Sequence, residues 1–256
     1  MWDRNDVDFA DTHLLPWERV PDGEFGAAGG GVHRVLSTSL SGPARTTVTR
    51  VRERQSGTLA ADLDLYVLAG SGTLNGAPVG QADYLYLPAG TAVDLAPAVV
   101  GLTLYCGFWG AAALLPEEGS AAGTVHLRTE ELDWDSPGWS GDVALRPGAL
   151  VKRLRDDDRA HIYLAAMVPG WRSEMEESHP VYEESYKVYG DILMGARGVM
   201  REGSYFFRSP DVYHGPLYSR GGTMSFIRSN APTTTDYRTP PTGGNWDELA
   251  HRAYGD

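Results

Sequence analysis

Four residues in the second half of this chain combine the side-chain types and spacing needed for metal chemistry: Glu177, His179, Glu183 and His214. Side chains alternate across a β-strand. Counting back from His179 in twos therefore puts Glu177, Met175, Ser173 and Trp171 on one face, while Glu174 and Glu176 point to solvent. A turn at Pro180 then brings Glu183, at the start of the next strand, close to His179. His214 opens another strand far along the chain, as a converging ligand in a barrel should. Taken singly, either histidine reads as an ordinary turn residue; the joint spacing is what points to a metal. Neutral imidazole with carboxylate suits Fe(II), Mn(II), Ni(II) or Zn(II), not a calcium cage. Two histidines and one carboxylate on one side of an ion also leave positions open, the arrangement used by non-haem Fe(II) oxygenases. The expected ligands of one divalent transition metal are Glu177, His179, Glu183 and His214, with Fe(II) favoured and Mn(II), Zn(II) or Ni(II) as alternatives.

Many short strands are needed to position such a set. Glycine (31) and proline (16) punctuate short apolar runs throughout the 256 residues, and a hydrophobic fraction of 42% supports a core. The chain also repeats itself. Residues 66–70 align with 186–190, 83–93 with 204–214, and the run from Gly31 with the run from Ala149, in the same order and at nearly constant offset. Duplication predicts two β-barrel domains, 17–115 and 125–231, followed by an extended arm over 232–256. The arm is expected to end in a short helix from Trp246 to Tyr254. Arms of this kind often wrap a second subunit, and a homodimer is expected.

The net charge of −12 has no compensating basic stretch, which argues against nucleic-acid or anionic-membrane partners. No apolar run reaches the ~18 residues of a membrane span, and the acidic N-terminus shows no secretory signal, so a cytoplasmic location is expected. The single cysteine, Cys106, lies in an apolar run and reads as a small buried hydrophobe.

The C-terminal half resembles a cupin. The first cupin motif runs Gly, five residues, His-x-His, three or four residues, Glu, six residues, Gly. Glu177, His179, Glu183 and Gly190 keep that spacing with glutamate in place of the first histidine, and Gly170 lies one residue further out. The second motif runs Gly, five residues, Pro-x-Gly, two residues, His, three residues, Asn. Gly203, Ser209, Asp211, His214 and Tyr218 keep its spacing with three residue types changed. The whole chain is similar to two-cupin (bicupin) proteins of the ChrR-like group. That resemblance implies an all-β fold of two tandem cupin barrels (double-stranded β-helices, or jelly rolls) with few short helices. In the first copy, Leu59, Leu63 and Val93 stand where His179, Glu183 and His214 stand in the second. The N-terminal barrel is therefore expected to be metal-free and structural.

The proposed metal lies among many aromatic residues. On the strand from Ser204, alternation puts Tyr205 and Phe207 on one face and Phe206 and Arg208 on the other, and one set must line the cavity. The expected substrate-pocket residues are Trp171, Tyr189, Tyr205 and Phe207, around a small apolar or aromatic molecule. Strict alternation from Glu183 turns Lys187 inward, where it either anchors an anionic substrate or pairs with Glu177; a β-bulge would instead leave it in solvent. The favoured reading is a dioxygenase. Isomerase or lyase chemistry on Zn, Mn or Ni is the alternative, with Glu177 or Tyr218 as general base and Lys187 assisting. ChrR-like cupins also serve as sensor modules of anti-sigma factors. Those carry a separate helical zinc-binding segment, and no His/Cys cluster precedes the barrels here.

Overall fold

A computed structural model of the chain describes residues 1–116, 118–120, 122–135, 147–240 and 251–254. The chain divides into two compact units: Met1–Asn5 with Leu14–Leu132, and Asp6–His13 with Asp133–Asp256.

Both units are built on one antiparallel strand order. In the first, the path is Val125–Arg128, Asp83–Leu87, Leu63–Leu74, Ala92–Phe108, Arg45–Val51, Val32–Thr38 and Glu18–Arg19. In the second it is Val7–Asp11, Ser204–Arg208, Glu183–Met194, Thr223–Ser229, His161–Met167 and Ala149–Asp156. The repeated runs seen in sequence occupy corresponding strands. Residues 125–132, counted with the second barrel from sequence, pair with the first unit, because Val125–Arg128 lies against Asp83–Leu87. Residues 6–13, assigned to neither barrel, belong to the second unit, where Val7 sits opposite Phe207 and Asp11 opposite Ser204.

The interiors of the two units differ. In the first, Leu63 faces Leu87, Leu65 faces Leu85 and Val67 faces Leu104 across the sheet. All six are buried in one apolar cluster, each contributing about 1.5–3 kcal/mol by leaving water. The corresponding pairs in the second unit are Glu183 with Arg208, Ser185 with Phe206, and Lys187 with Ser225. Identical backbone register thus presents hydrocarbon inside one barrel and charge inside the other.

On the opposite face of the same strands, each unit buries a carboxylate. Asp64 accepts hydrogen bonds from Tyr84 Oη at 2.8 Å and Trp109 Nε1 at 2.6 Å. Glu184 accepts from Tyr205 Oη at 2.7 Å and from Arg228 Nη1. A buried carboxylate persists only where such donors satisfy it.

A glycine requirement is also duplicated. An added Cβ at Gly70 or Gly190 would lie 2.1 Å from the carbonyl oxygen of Gly101 or Gly222 respectively, and both glycines have positive φ. Just before each glycine the pairing register slips, between Val67 and Ala69 and between Lys187 and Tyr189.

In the arm, Asp236–Arg238 pairs antiparallel with Glu176–Ser178 of its own unit. Arg238 Nε reaches Glu176 Oε2 at 2.7 Å, so Glu176 is tied to the arm, not simply solvated. Most of the expected Trp246–Tyr254 helix lies outside the described residues; 251–254 are helical. Cys106 is fully buried, and burial pushes its thiol up to about 12. Among the described residues no helix is long and apolar enough to cross a membrane.

Candidate metal centre

Glu177 and His214 are brought together by the backbone. They form an isolated antiparallel bridge, each amide donating to the other's carbonyl at 2.9 Å. Side chains of such directly opposed residues emerge on the same side of the pair. Accordingly His214 Nε2 lies 3.5 Å from Glu177 Oε1, too long for a strong hydrogen bond and short enough to share an ion. His179 follows two residues after Glu177, and its ring centroid is 5.3 Å from that of His214. One ligand atom from each of Glu177, His179 and His214 lies within 4.8 Å of the others. Glu177 and His214 are buried and His179 half-buried, so His179 stands on the solvent side.

Backbone carbonyls decide which imidazole nitrogen faces inward. His179 Nδ1 is 2.9 Å from the carbonyl oxygen of Thr234, and His214 Nδ1 is 3.2 Å from that of Val212. A carbonyl only accepts, so each Nδ1 carries the proton and each Nε2 keeps its lone pair for a ligand. The donor set therefore fits a divalent transition ion: two neutral imidazoles and one carboxylate, with ring orientations already held. Thr234 belongs to the arm, which thereby becomes part of the site's outer support.

The triad opens into a cavity that reaches solvent. Met167, Ile192, Met194, Met200, Leu217 and Ile227 form most of its apolar wall, and Glu183, Ser185, Lys187, Phe206, Arg208 and Ser225 also line it. Glu183 lines this cavity but does not join the three converging ligand atoms. Its register partner is Arg208, and its negative charge opposes the burial that pulls the Arg208 guanidinium down to about 10.

The structure sorts the expected pocket residues differently. Glu183 and Ser185 face inward, so their register partners Arg208 and Phe206 do too. Tyr205 and Phe207 then point away, Tyr205 to Glu184 and Phe207 into a stack with Tyr182 at 6.1 Å. Tyr189 is 59% exposed because the bulge after Lys187 breaks the alternation that would have carried it inward. Trp171 packs in the apolar cluster with Ile192 and Phe206 and does not line the cavity. A turn at Ser173, whose hydroxyl reaches the Met175 carbonyl, interrupts the alternation that placed it. Tyr218 alternates with Leu217, which faces the cavity, and so faces away. Lys187 does turn inward.

Sequence reasoning left Arg208 on the strand face it did not choose for the cavity and passed over Ser185 and Ser225. The signal available was the repeat: each aligns with an apolar core position of the first unit, Leu87, Leu65 and Leu104.

Lys187 is buried and donates to Ser225 Oγ at 2.7 Å. Burial pulls its ammonium down to about 7, against a weaker opposing pull from Asp191. The unfolded chain restores the ordinary value, about 10.5. Between these values the unfolded state binds more protons, so wild-type stability rises with pH from about 7 to about 10.5, and the penalty is complete below 7. Lys187→Met is expected to be more stable than wild type by roughly 2–4 kcal/mol at pH 6, with the gain shrinking through that window. Urea unfolding at pH 6, 8 and 9.5 measures it; a difference independent of pH would contradict the buried, protonatable ammonium.

Residues 113–234 match a family described as "Domain of unknown function (DUF4437)". No curated protein matches the chain. Several solved structures share its fold. A Nostoc punctiforme protein provisionally described as a dioxygenase superposes with TM-score 0.77 at 20% identity, covering 91% of this chain and 86% of that one. Oxalate decarboxylase from Bacillus subtilis gives TM-score 0.60 at 12% identity, covering 90% and 78%. Protein Ylba from E. coli gives 0.56 at 15% identity, covering 88% and 90%. These are cupin-fold proteins, and the chain has the nearly all-β architecture expected of that fold.

Proposed function

We propose that the second unit is a metal-dependent enzyme, a non-haem Fe(II) dioxygenase acting on a small organic molecule with an apolar or aromatic body. The observation that carries this reading is the convergence of Glu177, His179 and His214 within 4.8 Å at the edge of a largely apolar cavity. Bound there, Fe(II) would supply dioxygen chemistry at the positions that two imidazoles and one carboxylate leave open. The chain's own residues do the rest. Met167, Ile192, Met194, Leu217 and Ile227 exclude water and hold the apolar body of a substrate. Thr234 and Val212 carbonyls keep both imidazoles in the ligating tautomer. The dioxygenase description of the Nostoc punctiforme protein is consistent with the reading, by analogy of fold.

One observation favours a second reading, proton-transfer chemistry on Zn(II), Mn(II) or Ni(II). Lys187, with its ammonium drawn down to about 7, is poised to accept and return a proton at Nζ near neutral pH. Oxygen-electrode assays on anaerobically Fe(II)-loaded protein, with diketones, phenols and amino-acid-derived acids, separate the two. The dioxygenase reading expects substrate-dependent oxygen uptake that His214→Ala abolishes. Conversion of any of these compounds without oxygen uptake would overturn it in favour of the second.

A further inference from the structure

Arg208 is buried at 3% exposure on the cavity wall, where the first unit has Leu87. Its Nε and Nη1 have no hydrogen-bond partner among the described residues. Its hydrogen-bond contacts are confined to Nη2, a marginal 3.5 Å to the Asp8 carbonyl and 3.8 Å to Met194 Sδ. Glu183, the register partner, forms neither a hydrogen bond nor an ion pair with it among the described residues. The guanidinium is nevertheless held in place, stacked 3.7 Å from the Phe206 ring centroid. Phe206 in turn packs 6.5 Å from the His214 ring, so the guanidinium lies about one aromatic ring away from the metal ligands.

A buried guanidinium with unsatisfied donors is costly unless something completes it. Arginine cannot shed its charge as lysine can, and even drawn down to about 10 it stays cationic at neutral pH. We propose that Arg208 receives an anionic group of the substrate, a carboxylate, so that the cavity takes small organic acids whose apolar body lies along the cavity's apolar wall. The inference rests on the proposed active site only in placing the ligand in the same cavity. Charge balance supports it. Glu177 and Glu183 offset Arg208 and a protonated Lys187, so a divalent ion on the triad leaves the cavity positive and suited to an anion. The apolar wall sets the other half of the specificity, because an inorganic anion would leave it unfilled.

The test is isothermal titration of Zn(II)-loaded protein with benzoate and with its neutral isostere benzamide, zinc content being measured on every sample. Wild type is expected to bind benzoate at least ~10-fold more tightly than benzamide. Arg208→Gln should weaken benzoate roughly 10–100-fold, leave benzamide unchanged and retain its zinc. Arg208→Lys, which keeps the charge with fewer donors, should fall between the two and serves where the glutamine variant does not fold. Equal benzoate affinity in wild type and Arg208→Gln would overturn the proposal, assigning the carboxylate to the metal alone. Equal affinity of wild type for benzoate and benzamide would also overturn it. Loss of zinc in wild type, with the benzoate preference and its Arg208 dependence intact, would count against the metal centre and not against the anion site.

Discussion

His214→Ala, purified without added metal, is expected to carry less than about a tenth of the wild-type content of divalent transition ion, by elemental analysis. His214 supplies one of three converging ligand atoms and is itself the backbone partner that aligns Glu177. Loss of outer-shell support alone lowers metal affinity ~10–100-fold in comparable sites, and removal of a ligand should exceed that. His179→Ala should behave alike. Glu183→Ala should retain most of its metal, because Glu183 lines the cavity without joining the cluster. Equal metal content in wild type and both histidine variants would remove the site from consideration. A loss in Glu183→Ala as deep as in His214→Ala would restore the four-ligand set expected from sequence.

The largest effect on stability is expected from Glu184→Gln. Glu184 is fully buried, faces away from the cavity, and accepts hydrogen bonds from Arg228 and Tyr205. Neutralising it leaves the buried Arg228 guanidinium without the carboxylate it faces, a change that costs about 3–5 kcal/mol in comparable buried pairs. Calorimetry should show the second unit melting roughly 10 °C lower. Metal content should not change, since the residue lies on the other face of the strand. A loss below about 1 kcal/mol would show the pair to be energetically idle.

The fold was legible because the chain states it twice. Runs such as 83–93 and 204–214 occupy corresponding strands, and the shared glycines Gly70 and Gly190 sit where two backbones approach too closely for a side chain. Three metal-ligand candidates were legible because alternation and motif spacing are both local. What escaped was non-local. Which face of Ser204–Arg208 points inward depends on its register against Glu183–Met194, and no property of the five residues themselves reveals it. The bulge that expels Tyr189 is a backbone event. The carbonyls of Thr234 and Val212 that set the histidine tautomers leave no trace in residue type. The N-terminal strand Val7–Asp11 joins a sheet formed by residues some two hundred positions later, so adjacency along the chain could not place it.

Anomalous X-ray diffraction from crystals of the protein purified without added metal tests the central claim most directly. One anomalous peak per chain is expected, at about 2.0–2.2 Å from His179 Nε2, His214 Nε2 and a Glu177 carboxylate oxygen, and none in the first unit. A triad without such a peak after loading with Fe(II), Mn(II) or Zn(II), or a peak bound elsewhere in the cavity, would contradict it.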